Sequence, residues 1–279
     1  MKFYQAIAAI LLIYVNVAHA DIVVQKVATL SVDPLAESWQ AVPAQDVQLM
    51  AQQVTMPSLA KASVPKLAVQ SVTDGKMVAF RVSWADATAD YNVETGRFSD
   101  AVAIELPLGK NPSPMMGHKG GKVQILYWKG LWQKDQDAGF QDVQDLYPNY
   151  WVDLYWFAEG QPPYRVPDSF KNPVSHQWFV AKQAGNPMSV WSRAEPVQEM
   201  VAESWGSLTH QPETVTQGKG VWKDGEWHVV FLRPLKTEDQ NDFQFTEAKG
   251  QMAFAVWEGS DGNVGGRKHW SNWTAYQLP

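Results

Sequence analysis

Residues 67–84 run LAVQSVTDGKMVAFRVSW: an apolar stretch from Leu67 to Val72, the turn Thr73-Asp74-Gly75, and a second stretch from Met77 to Trp84. Apolar or alternating runs of six to eight residues have the period of strands, and Asp-Gly between two such runs is a strong short-range hairpin signal. Working outward, the same pattern recurs before it at Ile22 to Leu30 and Val47 to Val54, and after it at Ala101 to Leu106 and Val123 to Trp128. In the second half come Gln177 to Ala181, Ser189 to Ser192, Gly220 to Leu232, Gln251 to Trp257 and Trp270 to Leu278, with a second Asp-Gly turn at Lys223-Asp224-Gly225. Only Asp137 to Tyr147 has helical character, and Pro148 stops it. Many short strands joined by Gly/Pro-rich turns predict an all-β protein, an antiparallel β-sandwich with a few short helices in its loops. The stretch from Tyr147 to Trp178, dense in aromatics and prolines, reads as a long ordered loop.

The first twenty residues place Lys2 before an apolar run and end Ala18-His19-Ala20, the small-x-small pattern cut by signal peptidase. The expectation is a signal peptide over 1–20, cleaved after Ala20, and one domain over 21–279 in the periplasm. The apolar part, Ala6 to Val15, is short of the roughly 20 residues needed to span a bilayer, and no later segment is long and apolar enough. Cleavage leaves 259 residues with 22 basic and 29 acidic side chains, a formal charge of −7. That balance argues against a nucleic-acid partner.

An exported chain could have used disulfides, but this one has no cysteine. Covalent haem attachment through Cys-x-x-Cys-His, thiolate-held iron–sulfur clusters and a cysteine nucleophile are therefore excluded. No Gly-x-Ser-x-Gly elbow, His-Glu-x-x-His or phosphate-cradling glycine loop is present. Ser175-His176 and Ser207 with His210 read as turn residues in polar loops. The acidic run 238–242 and the turn Ser260-Asp261-Gly262-Asn263 lack the register of a calcium loop and read as solvated. Fourteen tryptophans are a high load, suited to a thick core, a ligand pocket or a sugar platform.

Two stretches point to chemistry. Asn111-Pro-Ser-Pro-Met115-Met116-Gly117-His118 sets two methionines in a Pro/Gly-bounded loop before a strand, and thioether sulfur is an axial haem ligand. Met252 to Gly259 reads as a buried strand, followed by a Gly-rich turn into Gly265-Gly266-Arg267-Lys268-His269-Trp270.

These stretches form part of a wider resemblance. Val32-Asp33-Pro34 with Ser38-Trp39, the run Met77 to Thr88, Met115-Met116-Gly117 with Val123 to Trp128, Gly225-Glu226-Trp227 with Val230 to Leu235, and Phe254 to Gly259 with Lys268 occur in order along the chain. Together they resemble the haem-b γ subunits of the ethylbenzene and dimethylsulfide dehydrogenase group, a branch of the DMSO-reductase molybdoenzymes. The resemblance implies a sandwich holding one non-covalent haem b between loops at one end, its iron bound by a methionine and a lysine. Carried over, these are Met116 or Met115, with Met116 favoured because it precedes Gly117, and Lys268. His118 and His269 are substitute ligands, Arg267 a propionate partner, and Trp84, Trp128, Trp257 and Trp270 the walls of the porphyrin.

The implied role is electron transfer without catalysis by this chain. A molybdenum-cofactor catalytic subunit and an iron–sulfur subunit would lie on one side, and a soluble cytochrome or a quinol-linked carrier on the other. The segment from Leu131 to Pro187 looks long for the group and reads as an insertion. Two alternatives stand beside this reading: a carbohydrate-binding sandwich, whose exposed tryptophans stack on sugars, and a structural subunit without haem.

Overall fold

The computed structural model describes residues 21–92, 94–140, 142–150, 173–186, 189–190 and 193–279. The signal-peptide reading and most of the Tyr147 to Trp178 stretch fall outside them.

Two sheets face each other across one apolar interior. The larger has the order β1 (Ile22–Val23), β15 (Thr274–Gln277), β13 (Lys249–Trp257), β7 (Ala101–Pro107), β8 (Val123–Lys129), β9 (Val197–Ala202), β10 (Thr209–His210). Two further short strands join it: β14 (His269–Trp270) pairs with β13 and with β4 (Met50–Ala51). The smaller sheet has the order β11 (Gln217–Lys223), β12 (Glu226–Pro234), β6 (Met77–Ala85), β5 (Lys66–Thr73), β2 (Gln25–Lys26), with β3 (Gln45–Gln48) also on β5.

The pairing is antiparallel throughout, except that the two-residue strands β1 and β2 lie parallel to β15 and β5. The expected antiparallel sandwich is thus mixed at its N-terminal edges. Both Asp-Gly turns form hairpins. At Asp224 (φ 53°) and Gly225 (φ 84°) both turn residues are left-handed, as a type I′ turn requires.

Side chains on alternate positions of each strand meet in the interior. From the larger sheet come Val102, Ile104, Leu106, Leu126, Trp128, Met252, Phe254 and Val256; from the smaller, Val69, Val78, Phe80, Val82, Trp84, Trp227, Val229 and Phe231. Trp227 is the hub of a ring cluster, with Trp128 at 4.9 Å edge-on and Trp84 at 6.2 Å stacked.

Four local readings are corrected. The strand β9, unmarked by the turn signals around it, carries five buried residues out of six. Gln177 to Ala181 does not form a strand: a single helical turn spans Val180–Gln183. Ser189 and Val190 are not in a strand either, and 191–192 lie outside the described residues. The expected helix at Asp137 to Tyr147 is two helices, α1 (Gly130–Ala138) and α2 (Val143–Leu146), because Gly139 breaks the path at φ 87°. Among the described residues no helix is long and apolar enough to cross a membrane.

Candidate functional site

The outward positions of the larger sheet are not all solvated. Ala103, Val123, Ile125, Met200 and Ala202 form a second buried apolar cluster, against which Met116, Tyr127, Ala255 and Trp257 pack. Over this face lies a cavity of about 540 Å³. Its floor is Ala103 and Glu105 of β7, Ile125, Tyr127 and Lys129 of β8, and Ala255 and Trp257 of β13. The walls come from the loops: Pro114, Met115 and Met116 after β7, Trp132 of α1, Trp205 and Leu208 after β9, and Gly265, Gly266, Lys268 and Trp270 around β14. The cavity therefore sits on a sheet face roofed by loops, whereas the sequence led us to expect it between loops at one end of the sandwich.

Met116 is held in an unusual conformation. Its φ is 67°, in the left-handed region that non-glycine residues seldom occupy, and Gly117 follows at 71°. The backbone is pinned on both sides: the Met116 N–H donates to Glu105 Oε2 at 3.3 Å, and its carbonyl accepts from the Ser204 N–H at 2.8 Å. A Cβ at position 117 would come within 2.4 Å of the Gly121 carbonyl oxygen, so glycine is required there. Strain of this kind persists where the surroundings over-determine it, and such places are often functional.

Lys268 is partly exposed to the same cavity, with Nζ 5.0 Å from the centre of the Trp257 ring. Trp257 in turn donates from Nε1 to the Gly265 carbonyl at 2.9 Å, fixing the turn that precedes Lys268. Burial pushes the Lys268 ammonium below its usual range, while the charge of Glu105 opposes that shift. Burial pushes Glu105 up, and Lys268 and the amides of Met116 and Gly117 pull it back. Glu105 Oε1 is buried with no hydrogen-bond partner. The two groups are thus an electrostatically linked acid–base pair set into the cavity wall.

The structure brings together Met115, Met116, Lys268, Trp257 and Trp270. It does not bring in the others. Trp128 is fully buried between the sheets and donates from Nε1 to Gln133 Oε1 at 3.3 Å; Trp84 is likewise interior. Trp128 occupies an inward position of β8, one residue from the outward Tyr127, so strand alternation decides against it. His118 is exposed and closes a tight turn with Gly121 by two backbone hydrogen bonds of 3.1 and 2.7 Å, outside the cavity walls. Arg267 donates from Nη1 to the Gly262 carbonyl at 3.3 Å and is not a wall residue. His269 is fully buried; its Nε2 accepts from the Val64 and Ser63 amides at 3.1 Å, and Nδ1 lies 3.2 Å from the Val256 carbonyl. That ring is fully committed within the protein.

Several cavity residues were not singled out from the sequence. Glu105 is a lone carboxylate in the apolar run Ala101 to Leu106, and its outward register with Tyr127 and Trp257 could have marked it. Tyr127 meets Trp132 and Trp257 edge-on at 5.3 and 5.2 Å, and burial raises its phenol well above the usual range. His210, expected as a turn residue, lies on β10 and lines the cavity. Its Nδ1 is buried without a partner, and burial, with the charge of Arg193, keeps its pKa below the ordinary histidine value.

Small-molecule and prosthetic-group sites are concave, mostly apolar and lined by a few convergent polar groups, and this loop-roofed cavity on one sheet face has that form. Residues 36–269 match the ethylbenzene dehydrogenase family, and the chain belongs to it. A protein of Haloferax mediterranei assigned as a respiratory nitrate reductase heme subunit is 24% identical, over 88% of this chain and 67% of that one. Dimethylsulfide dehydrogenase subunit gamma of Rhodovulum sulfidophilum is 29% identical over 44% of this chain; the match spans 54% of that relative's length. Among solved structures, a family 9 carbohydrate-binding module from Caldicellulosiruptor kristjanssonii in complex with cellotriose has a TM-score of 0.42 at 7% identity, covering 93% of each chain.

Proposed function

We propose that this chain is a non-catalytic electron-transfer subunit that holds one haem b in the cavity on its larger sheet, with Met116 and Lys268 as the iron ligands. The observation that carries the reading is that Met116 and Lys268, from loops far apart in the sequence, line one cavity. Two relatives named as subunits of respiratory or dehydrogenase complexes, one of them a heme subunit, support it.

The residues fit the group. A thioether and an amine are competent iron donors, and tryptophan and tyrosine rings offer flat apolar surface. The volume falls within the range of about 300–1,000 Å³ typical of cofactor sites. When bound, haem b supplies a one-electron iron couple. Met116 and Lys268 would hold the iron of such a group, so the chain's part is electron passage.

Lys268 can donate only when neutral, and its reference pKa of about 10.4 disfavours that at pH 7. Burial supplies part of the difference, and the charge of Glu105 opposes it. Met116 needs no such adjustment: its backbone is already pinned, and its side chain faces the cavity.

In this reading the protein is exported to the periplasm and cleaved after Ala20. Its partners are a molybdenum-cofactor catalytic subunit and an iron–sulfur subunit, with a soluble cytochrome as the external carrier. The deciding experiment is a visible spectrum of periplasmically expressed protein, oxidised and then dithionite-reduced, with pyridine haemochrome analysis of the extract. Sharp reduced α and β bands and extractable haem b are expected, with Asp21 as the mature N-terminus. A folded, haem-supplied preparation without such bands would overturn the assignment.

A further inference from the structure

Away from the cavity, four carboxylates converge where three strands end. Asp86 follows β6, Asp90 lies in the next loop, Asp100 precedes β7 and Glu258 follows β13. Each offers an oxygen, and these oxygens all lie within 4.8 Å of one another. Asp86, Asp100 and Glu258 are only 4%, 0% and 6% exposed. Among the described residues no lysine, arginine or histidine forms an ion pair with any of the four.

The group is built, not incidental. Asp100 is gripped on both oxygens: Oδ2 accepts from the Asp90 amide at 2.7 Å and Trp227 Nε1 at 2.9 Å, and Oδ1 from the Gly259 amide at 2.7 Å. Glu258 Oε1 accepts from the Ser260 amide and hydroxyl at 3.2 and 2.8 Å. Asp90 Oδ2 accepts from Thr88 Oγ1 at 2.7 Å, and Asp86 Oδ1 from the Thr88 amide at 3.0 Å. One atom stands apart: Asp86 Oδ2 is buried with no hydrogen-bond partner. A buried, unpaired carboxylate oxygen beside three more carboxylates is costly unless a cation or a proton sits there.

We propose that Asp86, Asp90, Asp100 and Glu258 bind a calcium ion. The donors are oxygens alone, which select a hard cation over zinc or copper. Oxygens on opposite sides of calcium, at about 2.3–2.6 Å each, stand about 4.6–5.2 Å apart, so oxygens all within 4.8 Å of one another are close enough to share one ion; calcium takes several carboxylates in flexible geometry, whereas magnesium demands a nearly ideal octahedron and keeps several waters. The absence of a countercharge agrees with this. Burial, then the charges of Asp100 and Glu258, push Asp86 up to about 8, and burial pushes Asp100 up to about 7. The ion would join β6 of the smaller sheet to β7 and β13 of the larger. Glu258 directly follows the cavity residue Trp257, so the same ion would steady that edge of the cavity.

The test uses the intact mature protein, stripped with EDTA and passed over chelating resin. Terbium luminescence, sensitised through Trp227 beside Asp100, should appear on titration and be displaced by CaCl2. CaCl2 should raise the melting temperature with one ion per chain by elemental analysis, and MgCl2 at equal ionic strength should not. Asp86→Asn should weaken calcium binding at least about tenfold, as fewer ligand charges do, while the calcium-free variant melts no lower than the calcium-free parent because a repelled charge is gone. Equal stabilisation by both salts would mean charge screening and would overturn the proposal. No calcium response at millimolar concentration would also overturn it, leaving a proton shared between Asp86 and Glu258. Because the readouts do not involve haem, the site stands or falls apart from the cavity's function.

Discussion

Lys268 Nζ lies 5.0 Å from the centre of the Trp257 ring, and the Trp257 Nε1–H holds the Gly265 carbonyl at 2.9 Å, so one indole both faces the lysine and secures the turn leading to it. Trp257→Phe keeps the face and loses the tether; Trp257→Ala loses both. We expect haem content per chain to fall modestly in Trp257→Phe and by most of its value in Trp257→Ala, read by pyridine haemochrome against protein absorbance. Equal retention in all three proteins would remove Trp257 from the site.

The ligands separate by single substitution. Met115 and Met116 both line the cavity, but only Met116 is locked into the left-handed region by Glu105 and Ser204. Met116→Leu and Lys268→Ala should each abolish the low-spin six-coordinate spectrum, whereas Met115→Leu should keep it. His210, with its unpaired Nδ1 in the same cavity, is the control. If Lys268→Ala left the spectrum intact and His210→Ala destroyed it, the nitrogen ligand would be His210.

Much of the fold could be read from residues 67–84 outward, because both hairpins carry their turn chemistry in the chain itself. The strand β9 was hidden because its run Val-Gln-Glu-Met-Val-Ala does not alternate apolar with polar: Gln198 and Glu199 are both buried. The site was only half legible. Met116 and Lys268 come from loops, where motifs speak for themselves, but the floor of the cavity is made by strand alternation. That alternation separates Trp257, which faces out, from Trp128, which faces in. Proximity in sequence to a motif could not tell one from the other, and nothing local could show that His210 and Glu105 meet the same cavity. Tertiary pairing of β8 with β9 and of β7 with β13 does that.

Trp128 is therefore a packing residue, and its loss should be felt in stability. Trp128→Ala should cost about 3–5 kcal/mol in urea denaturation, while the folded protein keeps its haem spectrum. A Cβ added at Gly220 would sit 2.1 Å from Trp128 Cζ2, so Gly220→Ala should cost about 1–3 kcal/mol. The double variant should be less damaged than the sum, since the indole that the added methyl strikes is gone. Additive losses would mean the two do not touch.

His228 gives a pH dependence of known sign. Its Nδ1 lies 2.8 Å from Ser83 Oγ; burial, then the charge of Arg81, lower its pKa below 6.5 in the folded protein. Between the folded value and about 6.5, the unfolded chain binds the proton that the folded one refuses, so stability falls as pH drops through this window and is complete above it. Melting temperatures from pH 7.5 to 5 should decline less steeply in His228→Gln, which keeps a polar partner for Ser83. An unchanged slope would exclude His228 as a source of the acid sensitivity.

Glu105 raises the proton affinity of Lys268 by its charge and also accepts the Met116 amide through Oε2. Glu105→Gln removes the charge while leaving a carbonyl oxygen for that amide, so the two roles part. Without the negative charge the Lys268 ammonium loses support, the neutral amine becomes easier to reach, and ligation should survive to more acidic pH. A pH titration of the low-spin band should therefore show its acid limit moving down in Glu105→Gln. A limit that moves up would mean that Glu105 matters chiefly as the acceptor of the lysine's proton, because the amide side chain cannot take it. In either case the band at neutral pH should persist, since Met116 is still pinned by Ser204 and by the fit of Gly117 against Gly121.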